Sequence, residues 1–201
     1  MAPSLNVTLA VKRLVRDVAA RLPELAHVRA SRVLVVAGEA RRASRATIRP
    51  FPAPGPGRGP RIELRGREVR YVITLRPLWF LDSTAEERLD TILHELYHAS
   101  LRFDGTLHGG RRHARLPPQS YQRRVAALRE RYLALAPAEL LAPFAHTGLA
   151  RARMWLERPA APRRGAGPGR MLYTERQLFQ GLVRMRTVRR RSLRGGQDDE
   201  D

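Results

Sequence analysis

Residues 83–98, STAEERLDTILHELYH, constrain this chain more than any other stretch, because they prescribe one helix and put His-Glu-x-x-His on it. Ser83 and Glu86 make a Ser-x-x-Glu capping box, which satisfies amide donors left open at a helix start. Apolar side chains at Leu89, Ile92, Leu93, Leu96 and Ala99 recur at helical spacing, on an arc centred nearly opposite His94. The spacing predicts that His94 and His98 project together from a face not pressed into a core. Glu95 lies about a quarter turn around the helix from His94.

Two imidazoles one turn apart suit a divalent zinc ion, which takes nitrogen or oxygen ligands in a tetrahedron and keeps one position open when it is catalytic. A bound metal acidifies water, and a carboxylate that is not a ligand can take the proton and return it to a leaving amine. The metal ligands expected from the motif are His94 and His98, and the expected base is Glu95. Replacing Glu95 by Gln would keep its shape and remove the base, so binding and catalysis are separable.

HELYH on a helix, followed by FDG and a GGR-x-H run, resembles the zincin metallopeptidases. It is most similar to a small group of bacterial and phage metallopeptidases related in plan to the SprT-like proteases. The resemblance spans about residues 32–132, with a further trace in YTERQLFQGLVRMRT. It implies an α+β, zincin-like domain with a small mixed sheet packed against helices that include the His-Glu-x-x-His helix. It also implies a zinc-dependent peptidase. Three residues compete for the third ligand. Asp104 stands where some zincins place theirs, but those have glycine three residues after the second His, and here that position is Leu101. A place in the FDG turn, with Gly105 supplying the unusual backbone angles, suits Asp104 better. His108 and His113 both follow glycine-containing stretches, and the SprT-like plan uses a His beyond a glycine-rich loop. His113 is preferred, with His108 and Asp104 as alternates.

A chain of 201 residues suits one domain, or one domain with an appendage. With no cysteine, disulfides and thiolate metal sites are excluded, so any metal must rest on His and carboxylates. No apolar run reaches membrane-spanning length, and Lys12, Arg13 and Arg16 break up any signal-peptide core. The expectation is a cytoplasmic protein with no membrane contact. The formal charge of +19 favours polyanions, so nucleic acid or an acidic protein is an expected partner beside the protein or peptide substrate. Lys12 is the only lysine. Composition bias accounts for arginine in place of lysine, but not for a two-to-one excess of base over acid.

Taken in order, residues 5–22 read as an amphipathic helix ended by Pro23, and VLVVA at 33–37 reads as a strand buried on both faces. Residues 47–51 read as a second strand, 50–60 as an exposed Pro/Gly loop, and 69–75 as a clear alternating strand. By order alone, the 69–75 strand is the candidate to pair with extended substrate. Residues 119–135 read as a second helix carrying Tyr121, a candidate oxyanion donor that also fits plain core packing. Residues 151–157 fit strand or helix equally. The expected organisation is a metallopeptidase domain at 1–158 and a flexible linker at 159–170. A basic segment at 171–194 would pack on the core or act as an arm, and 195–201 would form an acidic disordered tail.

The functional expectation is a zinc metallopeptidase in which Glu95 assists water held by the metal. Two other readings start from the same residues and charge. One is a metal-dependent nuclease, and the other is a nucleic-acid-binding or scaffold module with a structural metal.

Overall fold

Strand β1 (Leu5–Asn6) runs directly into helix α1 (Val7–Arg21), where the Asn6 side chain accepts from the Leu9 amide at 3.0 Å and closes the first turn. Val11, Leu14, Val15 and Val18 line the buried face of α1, and a 3-10 turn at Pro23–Leu25 stops it. The computed structural model describes residues 5–38, 44–51, 61–76, 80, 82–111, 117–155, 163–164, 171–173 and 179–186. The strands that follow α1 are β2 (Val33–Ala37), β3 (Ala46–Pro50), β4 (Arg61–Leu64), β5 (Arg67–Glu68) and β6 (Tyr71–Leu75). Three helices come next: α2 (Ala85–Tyr97), α3 (Pro118–Leu135) and the short α4 (Ala138–Leu141). The remaining strands are β7 (Leu149–Trp155), β8 (Arg163–Arg164), β9 (Met171–Tyr173) and β10 (Phe179–Arg186).

The architecture is mixed α+β, with a six-stranded mixed sheet and a separate four-stranded sheet in the order β5-β4-β9-β8. Strand β6 lies between β2, which it pairs in parallel, and β3, which it pairs antiparallel. Strand β7 carries β10 antiparallel along its length and meets β1 and β2 in parallel. All five residues of β2 are buried, as a strand covered on both faces requires. Val33, Val35 and Ala37 join Tyr71, Ile73 and Leu75 in the main core, where the apolar faces of α1, α2 and α3 also lie. Leu34, Val36 and Val72 turn to the other side and pack with Ile62 and Val69 in a smaller cluster. Burial of these aliphatic side chains supplies most of the driving force, at about 1.5–3 kcal/mol for each one fully buried.

Several expectations shift by a residue or two. The capping box sits one position later than the sequence pattern suggested. The Thr84 hydroxyl accepts from the Glu87 amide at 3.2 Å, and the Glu87 carboxylate accepts from the Thr84 amide at 2.8 Å. Ser83 is buried instead of capping. The 69–75 strand begins at Tyr71 and is interior to the sheet, so it offers no free edge. Of residues 151–157, which fitted either state, 151–155 are strand within β7, and 156–157 lie outside the described residues. Within the span expected to be a linker, Arg163–Arg164 pairs antiparallel with β9. In the basic segment, β10 adds to the main sheet through β7. Most of the 50–60 loop, much of 159–170 and all of 195–201 lie outside the described residues. No helix among the described residues is long and apolar enough to cross a membrane.

Helix α2 is fixed near its first turn by Arg88, a buried arginine. Its Nε donates to the Phe80 carbonyl at 3.1 Å, and Nη1 donates to the carbonyls of Phe144 and His146 at 2.8 and 2.9 Å. These bonds satisfy the buried cation with backbone oxygens and tie the chain before α2 to the chain after α4. The register of the cap is directly testable by thermal unfolding. Thr84→Ala should cost about 1 kcal/mol, roughly 2–4 °C in Tm. Glu86→Ala, at an exposed position whose carboxylate is 3.9 Å from Arg129, should change Tm by less than about 1 °C. Equal losses would contradict the observed cap.

Candidate metal centre

With Leu89, Ile92, Leu93 and Leu96 buried, α2 turns His94 and His98 to the rim of the core, half-exposed. His98 is the C-cap residue of the helix. The two rings meet edge to face, with centroids 4.9 Å apart, and bring their Nε2 atoms to 3.3 Å. Two nitrogens bound to one tetrahedral zinc at about 2.0–2.1 Å each lie about 3.3 Å apart, so this spacing is that of a bidentate pair.

The chain beyond α2 decides which nitrogen of His98 is available. Ala99 bridges to Leu107, the His108 amide donates to the His98 carbonyl at 2.9 Å, and the turn at Gly109–Arg111 follows. This return carries the Arg111 carbonyl to 2.8 Å from His98 Nδ1. A carbonyl only accepts, so Nδ1 holds the proton and Nε2 presents its lone pair towards His94. A backbone oxygen on the far ring nitrogen is the usual device for orienting a metal-binding histidine. Arg111 is itself held, its guanidinium 4.0 Å over the Tyr97 ring.

The return depends on the FDG turn, where Phe103 and Gly105 take φ of +51° and +89°. Asp104 Oδ1 accepts from Ser100 Oγ at 2.7 Å, from the Thr106 amide at 3.0 Å and from Thr106 Oγ1 at 2.7 Å. The hydroxyls of Thr106 and Ser100 hold its carboxyl down to about 2. Asp104 therefore serves the turn. His108 Nδ1 accepts from the Gly110 amide at 3.1 Å. Among the described residues no group of three or more His, Asp or Glu gathers where it could hold a metal, so neither Asp104 nor His108 joins the His94–His98 pair. His113 falls in residues 112–116, outside the described chain.

Glu95 points inward and is buried beneath β3, where its Oε2 accepts from the Ile48 amide at 2.6 Å. Burial pushes its pKa up to about 8, against the smaller opposing pull of the Ile48 hydrogen bond. A cleft of 720 Å³ opens beside it between β3, α2 and α3, lined among others by Ala46, Asp90, Thr91, His94, Glu95 and Gln122. The carboxylate and one imidazole thus share a wall of the same space.

Tyr121 comes from α3 and is almost fully buried. Its ring stacks on His98 at 5.2 Å, and its hydroxyl lies 3.3 Å from both nitrogens of that ring. The hydroxyl donates to the His94 carbonyl at 3.1 Å. Burial, with Glu95 and Tyr97 nearby, raises its pKa, so the phenol stays neutral. Sequence spacing suggested an oxyanion donor, and the observed contacts are with the two histidines. The Arg111 carbonyl and the Ile48 amide had no signal in the sequence, because backbone groups acquire such roles only through tertiary proximity.

The raised pKa of Glu95 makes a stability prediction. Between its unfolded value near 4.5 and about 8, the folded state binds more protons than the unfolded one. Stability is therefore fully present below 4.5 and falls as pH rises through 8. In chelator, Glu95→Gln should match wild type in Tm near pH 5 and exceed it at pH 8 by at least about 1 kcal/mol, roughly 2–4 °C. A pH-independent difference would contradict the buried acid. No protein-family model, curated protein or solved structure matches the chain, so its functional reading rests on its own residues and geometry.

Proposed function

We propose that this chain is a zinc-dependent metallopeptidase of zincin-like plan, hydrolysing peptide bonds in a protein or peptide substrate. The observation that carries the reading is the His94–His98 Nε2 spacing of 3.3 Å beside a buried carboxylate that opens on a cleft. His94 and His98 fit zinc through Nε2, since the His98 tautomer leaves that nitrogen unprotonated. His113 is the third ligand in this reading. Arg111 already touches His98 through its carbonyl, and two further residues span at most about 7 Å.

A zinc ion bound there supplies Lewis acidity towards water and the scissile carbonyl. Glu95 accepts the proton of the attacking water and passes it to the leaving amine. A nearby dication favours the ionised carboxylate and so opposes the burial that otherwise keeps it protonated. Tyr121 acts as a positioning residue, through the His94 carbonyl and the face of the His98 ring.

Strand β3 is the substrate-pairing edge in this reading, replacing β6. The Phe51 amide donates to the Arg70 carbonyl and the Arg76 amide to the Arg45 carbonyl, both at 2.8 Å, across the β3–β6 pair. That register turns the amides and carbonyls of Ala46 and Ile48 away from β6, towards the cleft. An extended peptide laid along them would reach Glu95, where the Ile48 amide is already engaged.

The reading is tested by metal analysis and peptide hydrolysis on the same preparations. Wild type should hold one zinc per chain and cleave a quenched-fluorescence peptide library. His94→Ala, His98→Ala and His113→Ala should each lose most of the zinc. Glu95→Gln should keep it while activity falls about 10²–10⁴-fold. Wild-type rates in Glu95→Gln would rule the mechanism out, and full zinc with no cleavage by wild type would indicate a structural metal.

A further inference from the structure

The sheet is not zipped between β2 and β7. These strands pair only at Ala37 with Met154, while β1 occupies β7 at Ala150 and Arg151. A ladder continued from Ala37 would aim the Arg153 amide at β2, but that amide donates to Thr8 Oγ1 at 3.4 Å. A pocket of 660 Å³ opens at this split, with Val33, Leu34 and Val35 along one wall.

Its remaining walls are basic. Lys12 and Arg16 enter from α1, Arg65 and Arg67 from the hairpin between β4 and β5, and Arg153 from β7. No carboxylate lines the pocket among the described residues. The hairpin presents its arginines through a tight turn in which Arg65 and Gly66 both take positive φ, +51° and +73°. Lys12 donates from Nζ to the carbonyls of Ala30 and Val33, so its ammonium is held in place. Burial, then Arg16 and Arg65, lowers its pKa to about 8, and burial with Arg65 lowers that of Arg153. These cations feel one another, and the fold concentrates their charge in a concave space. Guanidinium forks match tetrahedral oxyanions as well as carboxylates, but a phosphate ester brings up to two charges and several acceptor oxygens at once. Five converging cations suit that density better than one side-chain carboxylate.

We propose that the split between β2 and β7 is a phosphate-binding pocket, in which Lys12, Arg16, Arg65, Arg67 and Arg153 close around the phosphate of a discrete phosphate ester or of a nucleic-acid backbone. It lies apart from the His94–His98 centre and does not depend on the peptidase reading. Changing Lys12 would also strip donors from two buried carbonyls, so the test uses Arg16→Glu with Arg67→Glu, both at exposed positions. The control is Arg102→Glu with Arg123→Glu, an equal charge change at exposed positions outside the pocket.

Full-length proteins, checked for unchanged Tm, are titrated calorimetrically near physiological salt with pyrophosphate, a ten-nucleotide single-stranded DNA and octaglutamate. Wild type should bind pyrophosphate, the pocket variant should lose at least about tenfold in affinity, and the control less than about twofold. DNA binding more than about tenfold tighter than pyrophosphate, with the same loss in the pocket variant, identifies a nucleic-acid backbone as the source. Equal or weaker DNA binding identifies a discrete phosphate ester. Failure to bind either phosphate probe, equal losses in both variants, or tighter binding of octaglutamate would overturn the proposal.

Discussion

One amphipathic helix under tight rotational constraint organises the site. At about 100° per residue, burying Leu89, Ile92, Leu93 and Leu96 fixes where every other side chain of α2 can point. His94 and His98 are left on one rim, and Glu95, one step around, is driven under the edge of the sheet. Arg88 and the Thr84–Glu87 cap hold the helix against rotation and fraying. The pairing of two half-exposed imidazoles with one buried carboxylate is thus a packing consequence before it is a chemical one.

The second constraint is the return of the chain after the helix. The turn around Asp104 sends residues 106–111 back past His98, so a backbone carbonyl selects the ring tautomer. The same return engages Tyr97 through Arg111, and α3 covers the pair through Tyr121. Each histidine is therefore oriented by groups that would make no direct contact with a metal. In the proposed mechanism those groups set the geometry, and Glu95 moves the proton.

The helix, its apolar face and the outward histidines were legible in the sequence, because they follow from local periodicity alone. The cap was legible as a pattern but not in register. Ser83-x-x-Glu86 and Thr84-x-x-Glu87 read alike, and only the burial of Ser83 decides between them. Strand order was not legible. Alternation marks 69–75 as a strand, but its interior place depends on pairing with β2 and β3, which no local pattern encodes. Periodicity put Glu95 beside His94 but could not give the depth of its burial, since that comes from β3, far away in sequence. The net charge of +19 announced basic surface, but not its concentration at a break in the sheet.

The central physical claim is that His94 and His98 hold one ion between their Nε2 atoms. X-ray absorption at the zinc edge, on full-length protein given one equivalent of zinc, tests it most directly. The account predicts a first shell of nitrogen and oxygen at about 2.0–2.1 Å with imidazole back-scattering that disappears in the His94→Ala, His98→Ala double variant. A spectrum unchanged in that variant, or a wild-type protein that leaves the zinc in solution, would contradict it.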